Sequence, residues 1–264
     1  MGLDELSALN YWFVRRGKVA VAFSGGLDSS LLAATAVKAL GKGAIAITAK
    51  TEFVGKNEID DAAATAKKLG IRHKIIRLCL PEEILDNPPE RCYICKKYLM
   101  KSVKEAALKE GFDIVVDGTN QDDLPTSRPG MRALKEEGIL SPLVDLKLGK
   151  QAIREMSKTL GLDHSKVPNA CIATRFQTGH KISGSEISMI EEAENYLKGK
   201  GFNQVRVRYH GGIARIELGK DEIPSLFKGN LFVDVASKLK SLGFSHVAAD
   251  LEGYRAGSME QTSK

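Results

Sequence analysis

Along residues 18–160, short apolar runs alternate with longer stretches of helical period. The runs 18–23 (KVAVAF), 44–48 (AIAIT) and 113–116 (DIVV) predict buried strands, and 139–143 (ILSPL) a further short one. Residues 72–78 (RHKIIRL) alternate in polarity, which predicts a partly exposed edge strand. In that strand His73 is expected at the surface, and Cys79, between two leucines, is expected to be a small buried hydrophobe. Helical period predicts helices over residues 3–16, from Leu31 onward, and over 56–69, 93–110 and 149–160. Gly17, Gly70 and Gly161 stop three of them, and Trp12 and Phe13 fall on the core side of the first. The acidic, proline-rich stretch 81–91 predicts a loop. Strands that alternate with helices predict a parallel sheet with right-handed crossovers, whose ligands sit beyond the carboxyl ends of the strands. Ser24, Thr48 and Gly118 all fall at such ends, so three loops are expected to converge on one site.

From residue 181 the pattern changes. Ser183 followed by Glu186 is a capping box that opens a helix to about residue 198. Two alternating runs, 203–209 and 213–218, flank His210-Gly211-Gly212, a hairpin signal. A helix near 230–242 and a strand near 244–250 complete a small α+β unit, followed by a polar tail. The expected organisation is an α/β parallel-sheet domain over residues 1–170, a smaller C-terminal α+β domain over 181–254 and a flexible tail over 255–264.

Composition narrows the classes. The 264 residues are 43% hydrophobic and 27% charged, values of an ordinary globule. No apolar run approaches the roughly 18 residues that span a bilayer. The first residues show no basic segment leading into an apolar one, so a cytoplasmic protein without a membrane partner is expected. A formal net charge of +6 suits an anionic ligand without separating nucleotides from RNA. Aromatic residues make up only 6% and no RNA-recognition signature appears, so a nucleic-acid partner is not expected.

The densest chemistry lies in Ser24-Gly25-Gly26-Leu27-Asp28-Ser29-Ser30, between the first strand and a helix. Glycines allow tight torsions and close backbone approach. The N–H groups and dipole of the first helical turn favour an anion. Ser24, Ser29 and Ser30 add hydroxyls, and Asp28 suits Mg²⁺ held against a triphosphate. The Walker A pattern is absent. The stretch instead resembles the SGGxDSS loop of the PP-loop ATP pyrophosphatases, an adenine nucleotide α hydrolase-like fold. That resemblance implies cleavage of ATP between its α and β phosphates, with Ser24, Gly25, Gly26, Asp28, Ser29, Ser30, Thr48 and Gly118 as the expected nucleotide contacts.

Four cysteines in a reducing compartment argue for metal binding or catalysis rather than a disulfide framework. Cys92 and Cys95 stand one helical turn apart in RCYICKK. By spacing alone they are a redox pair, half a zinc site, part of an iron–sulfur site or incidental. Cys171 lies far off, in PNACIATRF, in the loop between the two predicted domains. Three thiolates fall one short of a Cys₄ zinc site, whereas three hold a [4Fe–4S] cluster and leave one iron open.

The set SGGLDSS, RCYICKK, DGTNQDD, RPGMRA and PNACIATRF is similar to the LarE family of ATP-dependent sulfur transferases, over nearly the whole chain. The resemblance implies adenylation of a carboxylate of pyridinium-3,5-biscarboxylic acid mononucleotide and its conversion to a thiocarboxylate, in synthesis of the nickel-pincer nucleotide of lactate racemase. It makes Cys171 and Arg175 the family's CxxxR pair. Members with that cysteine alone sacrifice its sulfur. Members that also carry the equivalents of Cys92 and Cys95 bind a cluster. ATP, Mg²⁺ and a [4Fe–4S] cluster on Cys92, Cys95 and Cys171 are therefore the expected cofactors, with a sulfide donor and a homo-oligomer. Arg206, Arg208 and His210 are spaced by two and share a strand face, which Arg215 can join. The family's matching arginines bind the substrate phosphate. Arg128 and Arg132 are further candidate anion contacts. The main rival is a PP-loop tRNA 2-thiolation enzyme, which calls for an added RNA-binding module with further CxxC pairs. A non-catalytic nucleotide-binding regulator on the same sheet is the other.

Overall fold

The computed structural model describes residues 2–124, 128–163, 170–255 and 258–259; of residues 2, 3 and 128 the backbone alone is described. The side chain of Arg128, residues 168–169 and most of the tail 255–264 thus lie outside the described residues. The chain divides into two units, one of residues 1–80 and 90–169, the other of residues 81–89 and 170–264.

The first unit opens with α1 (Gly2–Val14), β1 (Val19–Ala22), α2 (Leu27–Leu40), β2 (Ala44–Lys50), α3 (Lys56–Leu69) and β3 (Arg72–Arg77). The one-turn helix α4 (Glu82–Leu85) belongs to the second unit and stands where the sequence suggested only loop. The first unit resumes with α5 (Arg91–Lys109), β4 (Val115–Val116), α6 (Arg128–Glu137), α7 (Pro142–Asp145) and α8 (Lys150–Thr159). Its sheet has the order β3-β2-β1-β4, every pair parallel. β3 is the edge, as its alternation predicted.

The strand pleat sorts the core into two layers. Val19, Val21, Ala44 and Ala46 face α1, α2, α3 and α8 through Leu9, Phe13, Leu31, Ala62 and Ile153. Ala20, Ile45, Ile47 and Val115 face α5 and α6 through Met100, Val103, Ala107 and Leu134. Helices on both faces of a parallel sheet make a three-layer α/β unit. The predicted strand over 139–143 reduces to one parallel bridge, Leu140 to Val116. Pro142 cannot donate to a ladder and instead opens the first turn of α7.

The second unit continues with α9 (Gly184–Gly199), β5 (Val205–His210), β6 (Ile213–Leu218), α10 (Ile223–Leu226), α11 (Leu231–Ser241) and β7 (His246–Ala249). Ser183 and Glu186 form the predicted capping box at the start of α9. β5 and β6 are antiparallel with a two-residue turn at Gly211 and Gly212, and β7 runs parallel to β6. Val205, Val207, Ala214 and Ile216 share one sheet face and are buried, as are Ile190 and Ala193 of α9, which packs on β5, and Leu239 of α11, which packs on β7 and α9. Among the described residues no helix is long and apolar enough to cross a membrane.

Candidate active site

In the first unit, β1 leads to β2 on one side while β4 lies on its other side. The carboxyl ends of β1 and β4 thus flank a topological switch point, where open α/β sheets bind ligands. Residues 24–30 leave β1 there and enter α2, whose N-cap is Gly26. No side chain caps that helix, so its first-turn N–H groups stay available to an anion. The loop is braced from within. Ser29 Oγ donates to the Gly26 carbonyl at 3.1 Å and lies 3.1 Å from Ser24 Oγ, and the Gly26 N–H donates to Ser24 Oγ at 3.3 Å.

Two glycines have specific reasons. Gly25 has φ +74°, and a Cβ there would stand 2.8 Å from Ala62 Cα of α3. The room at this glycine is therefore taken by α3, not by a ligand. At Gly118, just past β4, a Cβ would meet Ser29 N at 3.1 Å and Asp28 Cβ at 3.2 Å. Here the two loops touch across the switch point.

Asp28 is half-buried, and burial followed by the charge of Asp123 raises its pKa above the ordinary carboxylate value. Asn120 Nδ2 donates to it at 3.4 Å, and Lys150 and Arg154 oppose the shift. Asn120 and Asp123 themselves form a capping box on the 3₁₀ turn Gln121–Asp123, and Lys150 Nζ stands 3.4 Å from Asp123. Two neighbouring carboxylates, one disfavoured as an anion, fit a Mg²⁺ ion that takes its remaining ligands from phosphate and water.

Asp117, the first residue of DGTNQDD, is a second hub, with no role expected from the sequence. It is 3% exposed, accepts from Ser141 Oγ at 2.7 Å and Thr119 Oγ1 at 2.6 Å, and pairs with Lys96 Nζ at 3.0 Å. Lys96 follows Cys95 directly, so this pair ties the cysteine-bearing turn of α5 to the end of β4. A polar DGTN directly after a buried strand was the available signal.

Thr48 lies two residues inside β2 rather than at its end, because the strand runs on to Lys50. Its hydroxyl donates to the Phe23 carbonyl at 2.7 Å and stands 2.8 Å from His73 Nε2. His73 is consequently half-buried, not a surface residue, and burial lowers its pKa. Cys79 is exposed, contrary to the expectation of burial, because it lies past the last residue of the edge strand β3.

Cys92 and Cys95 both lie in the opening turns of α5, which begins two residues earlier than the sequence suggested. Cys92 is exposed and Cys95 partly so. Arg132 spans Glu90 and Glu136 and covers the Tyr93 ring at 3.6 Å, so it braces α6 on α5.

In the second unit, exposed Cys171 precedes the 3₁₀ turn Ile172–Arg175. Arg175 is 2% exposed. Its Nε and Nη2 donate to Glu194 of α9 at 2.8 and 3.0 Å, and its Nη1 donates to the carbonyls of Ala170 and Cys171 at 2.8 and 3.2 Å. Glu194 also accepts the N–H of Val207 at 3.0 Å, on the outer edge of β5. The arginine directs its donors at the protein and fixes the backbone that presents the thiol.

The sheet face opposite the core carries Arg206, Arg208 and His210 on β5, with Arg215 opposite Arg208 and Glu217 opposite Arg206 on β6. Arg208 is clamped by the fully buried Glu217 and donates to the Thr174 carbonyl at 2.8 Å. Arg215 reaches Glu217 at 3.0 Å and lies 3.7 Å from Asp250. Arg206 is 8% exposed, has no carboxylate at ion-pair distance among the described residues, and faces the ring of Tyr254 at 5.4 Å. Burial, then the charge of Arg175, pulls its pKa down. Glu194 opposes that shift only in part, and a buried cation with no ion-paired carboxylate among the described residues is what an incoming anion would relieve.

Among the described residues, no three His, Cys, Asp or Glu side chains gather closely enough to hold a metal ion. The asparagine synthase family profile matches residues 8–107. A Synechocystis protein of undefined function is 36% identical over 98% of this chain and 97% of its own length. The pyridinium-3,5-bisthiocarboxylic acid mononucleotide synthase of Lactiplantibacillus plantarum is 34% identical over 93% of this chain and 90% of its own. The chain belongs to the LarE family. It is an ATP-dependent enzyme of the PP-loop class. A glutamine-hydrolyzing GMP synthase component from Methanococcus vannielii is 29% identical over only 55% of this chain and 50% of its own length. For this LarE homologue the likeness to the mononucleotide synthase thus extends well beyond the stretch shared with the GMP synthase.

Proposed function

We propose that this LarE homologue adenylates a carboxylate of pyridinium-3,5-biscarboxylic acid mononucleotide and converts it to a thiocarboxylate, in synthesis of a nickel-pincer nucleotide. The observation that carries the reading is the pairing of a braced, uncapped SGGLDSS loop with likeness to the plantarum synthase over nine tenths of the chain.

A carboxylate is a poor electrophile, and ATP remedies this. The carboxylate oxygen attacks the α phosphorus, pyrophosphate leaves, and an acyl-adenylate forms. First-turn N–H groups of α2 stabilise the charge on departing pyrophosphate, and Asp28 and Asp123 would hold Mg²⁺, which neutralises triphosphate charge when bound. A sulfur nucleophile then displaces AMP at the acyl carbon. In this reading Cys171 is one of the thiolates that would hold the sulfur-carrying cluster, and Arg175 positions its backbone. Arg206, Arg208 and Arg215 serve the substrate phosphate, Arg206 supplying a guanidinium that has no ion-paired carboxylate among the described residues.

The fit of a [4Fe–4S] cluster rests on donor chemistry. Cys92 and Cys95 are solvent-accessible thiols one helical turn apart, Cys171 is a third, and soft thiolates suit iron. Such a cluster, when bound, carries an additional sulfide. The same reading calls for a sulfide-supplying partner. ATP-, Mg²⁺- and substrate-dependent release of pyrophosphate, with a thiocarboxylate product of matching mass, tests the proposal. Pyrophosphate release driven by tRNA, and not by the mononucleotide, would overturn it.

A further inference from the structure

Among the described residues five buried side-chain polar atoms have no hydrogen-bond partner. Three of them, Arg206 Nε, His210 Nε2 and Arg215 Nε, belong to one face of the β5–β6 hairpin. The two arginines already have a role in the reading above; His210 does not. Its tautomer follows from its neighbour. The amide nitrogen of Gln177 stands 3.1 Å from His210 Nδ1, and an amide nitrogen only donates. Nδ1 is therefore the acceptor, and the neutral ring's one proton sits on Nε2.

The Nε2–H is thus a buried donor without an acceptor among the described residues, two residues along the strand from Arg208. Glu217 does not serve it, since the oxygens of Glu217 are engaged by Arg208, Arg215 and the Ser258 hydroxyl. Buried donors are ordinarily satisfied, and an orphan marks a place where an acceptor arrives. Burial, then the charge of Arg215, with that of Arg208 added, lowers the pKa of the ring against the opposing pull of Glu217.

We propose that His210 Nε2–H is a further substrate-binding donor, acting with Arg208 and Arg215 on a phosphate monoester group. This rests on the reading that the arginine face takes the substrate phosphate. Glu217 orients the two guanidinium groups, Gln177 fixes the tautomer, and the phosphate oxygens supply the missing acceptor.

The test uses the full chain and inorganic phosphate as the probe. Phosphate binding is followed by calorimetry and by the imidazole nitrogen and proton signals of His210. Saturation is expected to shift the Nε2 signal of His210 in the unmodified protein. His210→Ala should weaken phosphate about tenfold, the loss of one hydrogen bond to a charged group. His210→Gln keeps an N–H near the Nε2 position and should recover most of that loss, with ATP affinity the same in all three proteins. An unmoved His210 signal, or unchanged affinity in His210→Ala while Arg215→Ala weakens binding, overturns the assignment of His210 and leaves the arginine face standing. Affinity indifferent to both Arg206→Ala and Arg215→Ala removes the face as a phosphate site, and with it the reading beneath this one.

Discussion

Arg175 and Glu194 form a two-bond ion pair, with N–O distances of 2.8 and 3.0 Å, buried in the second unit, and the remaining nitrogen of the guanidinium holds the carbonyl of Cys171. A residue four positions after the candidate sulfur-bearing cysteine thus acts through the backbone that carries it. Lysine lacks the planar fork needed for these bonds. Arg175→Lys should leave ATP and Mg²⁺ binding intact while thiocarboxylate formation falls at least tenfold. Glu194→Gln, which strands a buried cation, should cost on the order of 3–5 kcal/mol of stability. Thermal melts and product mass spectrometry check both, and full thiocarboxylate yield in Arg175→Lys would show that the pair only stabilises the fold.

Gly25→Ala tests the packing of α3 on the phosphate loop. The left-handed torsion and the 2.8 Å approach to Ala62 act together. The expected cost is about 1–3 kcal/mol for the torsion alone, with more from the clash. Melting temperature should fall and ATP affinity with it. A variant as stable as the parent would show that α3 yields at no cost.

Asp28→Asn separates stability from chemistry. The fold raises the pKa of Asp28 mainly through burial and then through Asp123, so the folded protein favours the neutral carboxyl. Its stabilising contribution is complete below the ordinary aspartate pKa and is lost as pH rises through the raised value. At pH 7 the charge is a net cost that asparagine removes. Without nucleotide, Asp28→Asn should melt at or above the parent at pH 7, with the gap closing toward pH 4. The variant should lose both pyrophosphate release and stabilisation by Mg²⁺–ATP. A pH-independent gap in melting temperature would contradict the burial argument.

The cluster proposal is checked on the cysteines one at a time. Cys92→Ala, Cys95→Ala and Cys171→Ala should each lose most bound iron when purified anaerobically, along with most sulfur transfer. The intact protein should keep its mass after several turnovers with supplied sulfide. A loss of about 34 Da, the H₂S released when an activated cysteine becomes dehydroalanine, would show that Cys171 gives up its own sulfur. Mild phenotypes for Cys92→Ala and Cys95→Ala would point the same way.

By itself the sequence determined the alternating strands and helices of a parallel sheet with an exposed edge, the strand-to-helix turn at Ser24–Ser30, the capping box of Ser183 and Glu186, and the glycine hairpin that brings Arg215 onto the face of Arg208. Each depends on residues within a few positions of one another, so period and turn chemistry suffice. Tertiary structure alone decided which distant groups meet. It put Lys96, Thr119 and Ser141 on one buried Asp117, Ala62 against Gly25, and His73 on Thr48. It also paired Arg175 with Glu194 and Arg208 with Glu217, leaving Arg206 without a carboxylate partner among the described residues. A charge's partner is set by distance and burial in three dimensions, and a linear pattern of charges is compatible with many pairings. The same reason exposes Cys79 and ends the 139–143 run in a helix, since where a strand runs out depends on the neighbour it pairs with.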